Sequence, residues 1–235
     1  MGLSSIAPSH PQARSRTRIL IIEDHALFAE SLELALSMEG YDVRRSPVPE
    51  NSGATQGLIS TIIRLQPRIS LLDLDLGNFG DGRRLIAPLT RSGTNVVVVT
   101  ASTDRGRWGE CLRAGARKVL PKSSPLNDIL TTVRRIHQGL PVLDPGEREE
   151  LLRAAQQRAE QSEMVTRLEL LTRREQAILG ELMQGHTVRD IAISSVVSEA
   201  TVRTQVKSIL AKLRVSSQLA AVGLAHNAGW HPPHS

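Results

Sequence analysis

Five short apolar runs, separated by segments long enough to form helices, occupy residues 18–138. The run at 95–100 reads NVVVVT, and the run at 69–73 ends in a carboxylate. A strand buried on both faces has a continuous apolar sequence, and strands that alternate with helices form parallel sheets. The alternation therefore predicts an α/β domain with a doubly wound, five-stranded parallel sheet.

The composition indicates a globular protein with aliphatic cores, because hydrophobic residues make up 40% of the chain and aromatic residues only 2%. The single cysteine, Cys111, excludes an intrachain disulfide and a cysteine-based zinc cluster. No run reaches the length of a membrane span, and residues 1–17 lack the apolar centre of a signal peptide. We therefore expect a cytoplasmic protein with no membrane partner.

Charge and turn-forming residues divide the chain into segments. Residues 1–17 are rich in Ser, Pro and Arg and predict a disordered tail. Residues 139–165 carry three basic and six acidic residues, begin with a turn-rich stretch and continue in helix formers. We interpret them as a solvated helical linker between the domain at 18–138 and a second domain at 166–230, with a tail at 231–235.

Polar residues stand at or just after the ends of four of the five predicted strands. They are Glu23, Asp24, Asp73, Asp75, Thr100 and Lys122. Because the carboxyl ends of parallel strands meet at one edge of the sheet, these side chains should converge on one crevice. Clustered carboxylates repel one another without a cation, and hard oxygen ligands suit Mg²⁺. Taken singly, such an acidic pair is as often a solvated helix cap, but a carboxylate beside Mg²⁺ and a lysine is a plausible nucleophile toward phosphorus.

Four segments of this domain read IIEDH, LLDLDLG, VVVVTAS and GARKVLPKSSP. Together they resemble the receiver domain of two-component response regulators. The resemblance implies a flavodoxin-like fold with Asp73 as the phosphoacceptor. It also implies a Mg²⁺ site served by Glu23, Asp24 and Asp73, with Asp75 contributing its backbone carbonyl.

The same resemblance implies a phosphoryl switch, in which the Thr100 hydroxyl moves to the phosphoryl group and Lys122 is its cationic partner. The family usually carries a Tyr or Phe three residues before the lysine, and Val119 stands at that position here. This departure leaves open how a charge at Asp73 would reach the rest of the protein.

A second pattern begins at Leu170. Thr172 and Glu175 have capping-box spacing, and an apolar helical period follows them. Further helices are predicted over Thr187–Ile193, from Ser198 to Leu213, and over Ser217–Asn227. A short helix, a tight turn and a third helix with a basic exposed face are typical of a helix-turn-helix. From charge alone, Arg203 and Lys207 could equally be solvated residues of an ordinary four-helix bundle.

The sequence of this region closely resembles the LuxR-type output domain of NarL/FixJ-class response regulators. The resemblance is carried by two segments, LTRREQAILGELMQGHTVRDIA and VSEATVRTQVKSILAKLRVSSQLAAV. The resemblance implies an all-α, four-helix helix-turn-helix domain whose third helix enters the major groove of DNA. The DNA-contacting residues that it implies are Thr201, Arg203, Thr204, Gln205 and Lys207. Gln205 stands where the family frequently has His.

Three functions are compatible with these motifs. The first is a transcriptional regulator switched by phosphorylation of Asp73 by a partner histidine kinase, acting as a homodimer on operator half-sites, with RNA polymerase as a further candidate partner. The second is a Mg²⁺-dependent phosphatase, since Asp73 and Asp75 resemble the nucleophile pair of haloacid-dehalogenase-type enzymes. Chain order disfavours it, and we expect no enzyme activity beyond slow self-dephosphorylation. The third is a DNA-binding regulator whose receiver is controlled by a ligand or oligomerisation, which Val119 motivates.

Overall fold

The computed structural model describes residues 17–232, which divide into two compact units between Ala155 and Gln156. Most of the predicted N-terminal tail, residues 1–16, and the last three residues, 233–235, lie outside the described range. Thr17 is buried, and its carbonyl accepts a hydrogen bond from the N–H of Asp42 at 3.2 Å. Thr17, which the sequence assigned to the tail, is thus part of the folded unit.

The first unit contains a five-stranded, fully parallel sheet. Its strands are β1 (Arg18–Ile22), β2 (Asp42–Ser46), β3 (Ile69–Leu72), β4 (Asn95–Thr100) and β5 (Lys118–Pro121). The strand order is β2-β1-β3-β4-β5. The intervening helices are α1 (Ala26–Met38), α2 (Thr55–Leu65), α3 (Arg83–Arg91), α4 (Arg105–Arg113) and α5 (Leu126–His137). This confirms the predicted doubly wound α/β fold.

Each face of the sheet has its own apolar core, which explains the continuous apolar strands. In β1, Ile19 and Ile21 pack in the cluster that includes side chains of α1 and α5. Leu20 and Ile22 pack in the cluster that includes side chains of α2, α3 and α4. Because successive side chains of a strand point to opposite faces, a sheet covered on both sides needs an apolar residue at every position.

The predicted linker is helical but only partly solvated. Helix α6 spans Pro145–Glu169, and its first part packs on the first unit, with Leu151 and Ala155 almost fully buried. The contact is possible because Gly109 in α4 has no side chain: a Cβ there would lie 2.7 Å from the carbonyl carbon of Leu151 and 2.8 Å from the Cβ of Ala155. The prediction of a solvated helix is therefore wrong for this part.

The second unit is all-helical. After the end of α6 it contains α7 (Arg173–Met183), α8 (Val188–Ser194), α9 (Glu199–Leu213) and α10 (Gln218–Asn227). The core is formed by one apolar face of each helix, with Ile178, Ile191, Val202 and Ile209 among its most buried members. This confirms the predicted four-helix architecture. Within residues 17–232, none of the helices is long and apolar enough to cross a membrane.

Candidate functional site

The register of the sheet brings the predicted polar residues of the first unit together. Ile22 of β1 pairs with Leu72 of β3, and the N–H of Asp73 donates to the carbonyl of Ile22 at 3.0 Å. Glu23 and Asp73, the residues that follow these paired strand ends, therefore stand side by side. On the other side of β4, the N–H of Lys122 donates to the Thr100 carbonyl at 2.8 Å. Lys122 thus leaves the sheet at the same edge.

A buried ion pair forms the centre of this pocket. Lys122 Nζ donates to Asp73 Oδ2 at 2.7 Å and to Glu23 at 2.8 Å, and both carboxylates are almost fully buried. Burial raises the pKa of Asp73, since the hydrogen bond from Lys122 offsets that effect only in part. Burial alone would lower the pKa of Lys122, but its bonds to Asp73 and Glu23 raise it overall. The lysine therefore stays charged beside Asp73.

The acidic cluster has a donor set that fits a hard divalent cation. Glu23, Asp24, His25 and Asp73 each offer one ligand atom within 4.8 Å of the others. Carboxylate oxygens of this kind suit Mg²⁺. His25 was missed from the sequence. Its Nδ1 lies 2.9 Å from Asp24 Oδ1 and 3.0 Å from Glu23 Oε1, so it contacts both carboxylates of the acidic pair.

The side chain of Asp75 points away from this cluster, toward Arg107 of α4. Arg107 Nη2 donates to Asp75 Oδ1 at 3.1 Å and lies 3.8 Å from Asp81. The loop between these two acids folds back on itself, since Asp75 and Asp81 form an antiparallel bridge and Gly82 N donates to the Leu74 carbonyl at 2.7 Å. The Asp75 carboxylate is therefore not among the groups that gather around Asp73.

Thr100 is fully buried at the end of β4, and its Oγ1 accepts a hydrogen bond from the N–H of Ser102 at 3.1 Å. Val119 pairs with Val98 in the sheet and is 4% exposed within the apolar core. The position where the receiver family carries an aromatic switch residue is thus occupied by a small packed side chain.

In the second unit, a buried carboxylate fixes the helix that the sequence assigns to DNA. Glu175 closes the predicted capping box with Thr172 at the start of α7. Its two oxygens also accept hydrogen bonds from Ser208 Oγ and Lys212 Nζ of α9, each at 2.6 Å. Although burial opposes ionisation, these bonds and those from Thr172 lower the pKa of Glu175 to about 2. The ties to Ser208 and Lys212 were missed from the sequence.

The exposed face of α9 carries the residues predicted to contact DNA. Thr201, Arg203, Thr204 and Lys207 are exposed, Gln205 is half-buried, and Val202 and Val206 face the core. Arg203 pairs with Glu199, one turn earlier in the same helix, at 3.3 Å. Ser198 caps the helix by accepting from the N–H of Thr201 at 3.1 Å. The turn before this helix places Val196 at φ 53°.

A parallel α/β domain with a carboxylate and lysine pocket at its carboxyl edge, followed by a helix-turn-helix, defines a response regulator. Comparison with known families agrees. The family described as response regulator receiver domain matches residues 19–134, and the family described as bacterial regulatory proteins, luxR family, matches residues 169–225.

Individual relatives match along nearly the whole chain. The probable transcriptional regulatory protein NarL of Mycobacterium tuberculosis is 30% identical over 220 residues, covering 92% of this chain and 96% of the relative. The nitrate/nitrite response regulator protein homolog of Haemophilus influenzae is 26% identical over 214 residues, covering 90% and 97%. A chain in the solved structure of the RcsB-DNA complex is 21% identical, with 89% and 98% covered and a TM-score of 0.47.

The chain therefore belongs to the response regulators that combine a receiver domain with a LuxR-type DNA-binding domain. Proteins of this family are DNA-binding transcriptional regulators, and the match gives no support to the phosphatase hypothesis.

Proposed function

We propose that this regulator is switched by transfer of a phosphoryl group to Asp73 from a partner histidine kinase. The observation that carries the proposal is the buried Asp73 carboxylate at the end of β3, 2.7 Å from the ammonium of Lys122. A carboxylate placed beside a fixed cation can attack phosphorus, because the cation neutralises the charge that the incoming phosphoryl oxygens bring.

In the proposed reaction, an Asp73 oxygen forms a bond to phosphorus while the bond from phosphorus to the donor breaks. Lys122 neutralises one phosphoryl oxygen, and the Thr100 hydroxyl exchanges its contact with Ser102 for a hydrogen bond to another. Mg²⁺ held by the carboxylates of Glu23, Asp24 and Asp73 and the Asp75 carbonyl would supply further neutralising charge. Slow hydrolysis of the acyl phosphate would end the signal: water takes the phosphoryl group, inorganic phosphate leaves, and the Asp73 carboxylate is restored.

The output is recognition of double-stranded DNA by α9. Arg203, Thr204 and Lys207 are exposed on the face opposite the buried valines, and a helix in this position enters the major groove. We assign Thr201 and Gln205 to the margins of the same contact. A homodimer would read two half-sites, and RNA polymerase and a cytoplasmic location stay predictions.

Phosphorylation of Asp73 is tested by incubating the full chain with acetyl phosphate and Mg²⁺ and measuring intact mass. We expect one added phosphoryl group on the wild type and none on Asp73→Asn. Asp81→Asn is the matched control: Asp81 lies in the same loop, but its carboxylate contacts Arg83 and Arg107 rather than Lys122. Labelling of Asp73→Asn, or loss of labelling in Asp81→Asn alone, would contradict the assignment.

A receiver that is controlled by a ligand or by oligomerisation, without phosphate, is the second candidate. It is favoured by one observation, the packed Val119 at the usual aromatic position. This candidate predicts that acetyl phosphate leaves DNA affinity unchanged in the wild type and that Asp73→Asn binds DNA equally well.

A further inference from the structure

We propose that helix α4, with the first part of α6 docked on it, carries the phosphorylation signal out of the receiver domain. This inference rests on the proposed switching at Asp73 and names the route that takes the place of the missing aromatic residue. Three contacts support this route. The first joins the loop after Thr100 (101–104) to α4, the second joins the loop that begins with Asp73 (73–82) to α4, and the third joins α4 to α6.

The first contact joins the switch hydroxyl to α4. Thr100 Oγ1 accepts from the N–H of Ser102, and the carbonyl of Ser102 accepts from Trp108 Nε1 in α4 at 2.9 Å. If the Thr100 hydroxyl turns toward a phosphoryl group on Asp73, the N–H of Ser102 loses its hydrogen bond to Thr100 Oγ1. The indole of Trp108 is bonded to the same residue, so a change at Ser102 reaches α4 directly.

The second contact joins the phosphoacceptor loop to α4. The N–H of Asp75 donates to Asp73 Oδ1 at 3.2 Å, and the Asp75 carboxylate accepts from Arg107 of α4. A phosphoryl group adds about −1.5 to −2 charges and removes one carboxylate oxygen as a free acceptor. Both changes disturb the Asp75 turn that anchors Arg107. We therefore assign Arg107 as a positioning residue that reports the state of Asp73 to α4.

The third contact joins α4 to the helix that leaves the receiver domain. Gly109 lies directly against the backbone of α6 at Leu151, and Ala155 is fully buried one turn on. At the start of α4, Arg105 pairs with Glu150 at 3.0 Å. Helices in backbone contact have no flexible side chains between them, so a shift of α4 displaces α6 rather than being absorbed.

Helix α6 continues to Glu169, past the boundary between the two compact units and into the chain segment that matches the DNA-binding family. A displacement at Leu151 therefore acts on the helix that leads into the output domain. Val119, buried in the core without a ring to rotate, is not needed on this route.

Two glycine substitutions test the contact between α4 and α6 separately from the phosphorylation of Asp73. In Gly109→Ala the new Cβ meets the Leu151 backbone and forces α6 away from α4. Gly57→Ala is the matched control, since a Cβ on this helical glycine of α2 meets nothing within 4 Å. Leu151→Ala loosens the docking of α6 in a different way, because it removes a buried side chain from the apolar cluster that includes Cys111 and Leu112 of α4 and adds no clash. It decides the outcome if Gly109→Ala does not fold.

Three quantities are measured on each full-length protein: phosphorylation by acetyl phosphate, hydrogen exchange of residues 145–155, and the ratio of DNA dissociation constants without and with beryllofluoride and Mg²⁺. The DNA is a duplex selected from a random-sequence pool by the wild type. For the wild type we expect a ratio of about 5 to 150, the usual range for coupled sites. For Gly109→Ala and Leu151→Ala we expect normal phosphorylation, faster exchange in 145–155 and a ratio within about twofold of one.

Gly57→Ala should match the wild type in all three measurements. The inference is overturned if Gly109→Ala and Leu151→Ala are phosphorylated normally and keep the wild-type ratio, or if their exchange in 145–155 does not change. A wild-type ratio near one would instead overturn the proposed switching function, and this inference with it.

Discussion

Substitution of Glu175 by Gln tests how the DNA-binding domain holds its recognition helix. The Glu175 side chain is 4% exposed and pairs with Lys212 at 2.6 Å, while its second oxygen accepts from Ser208. A neutral amide cannot neutralise Lys212, and its NH₂ end would face a donor. We therefore expect α9 to lose its polar attachment to α7, while the apolar core between the two helices remains.

The size of the effect follows from the pKa of Glu175, which the fold lowers from 4.5 to about 2. That difference corresponds to about 3 kcal/mol of stability. Because the folded-state pKa is the lower one, the contribution is complete above pH 4.5 and is lost as the pH falls toward 2. Lys212 is 32% exposed and regains some hydration when unpaired, so about 3 kcal/mol is an upper value.

Hydrogen exchange of the α9 amides in the full-length protein measures this loss. At neutral pH we expect exchange about 100-fold faster in Glu175→Gln than in the wild type. Asp190→Asn is the matched control: Asp190 forms the same capping box with Thr187 but is exposed, so its loss should be much smaller. Equal exchange in Glu175→Gln and the wild type, or an equal effect of both substitutions, would refute this reasoning.

Four further predictions follow from single sites. Val196→Asn should stabilise the DNA-binding domain by about 1 kcal/mol in urea unfolding, because a β-branched residue at φ 53° is strained and its side chain is 90% exposed. Gly82→Ala should lower the phosphorylation rate about 10- to 100-fold, because its Cβ would contact the Asp73 carbonyl, whereas Gly57→Ala should not. Asp73→Asn should raise the thermal stability of the receiver domain at neutral pH. Because the fold raises the pKa of Asp73, ionisation of this carboxyl lowers the stability of the folded state as the pH rises above 3.8. The neutral amide of Asp73→Asn does not ionise and avoids this loss. A lower melting temperature of Asp73→Asn would contradict the prediction. Arg203→Ala should relax base preference by ~1–3 kcal/mol at one base pair in binding-site selection, whereas uniform weakening would indicate a phosphate contact instead.

The fold was predictable where the pattern of apolar residues is dense. β4 has the bounds of the apolar run at 95–100, and β3 covers the run at 69–73 up to the residue before its carboxylate. The meeting of Asp73 with Lys122 was predictable too, because parallel topology brings successive strand ends to one edge. In these cases a local pattern and a general rule of topology were sufficient.

What escaped the sequence depends on distances between segments far apart in the chain. In the sequence, Lys212 cannot be distinguished from an ordinary solvated lysine. Its ion pair with Glu175 forms only when α7 packs against α9. Gly109 looks like a weak point in a helix, whereas its missing side chain is what admits α6. The start of α4 depends on a polar contact rather than on apolar spacing, since the Asp104 side chain caps the helix at Arg105.

The central claim is that a charge placed on Asp73 controls DNA binding. It is tested most directly by the affinity of the wild type and of Asp73→Asn for a selected duplex, each with and without beryllofluoride and Mg²⁺. We predict that beryllofluoride tightens binding by the wild type at least about fivefold and leaves Asp73→Asn unchanged. Equal affinities of the wild type under both conditions, or the same tightening in Asp73→Asn, would contradict the claim.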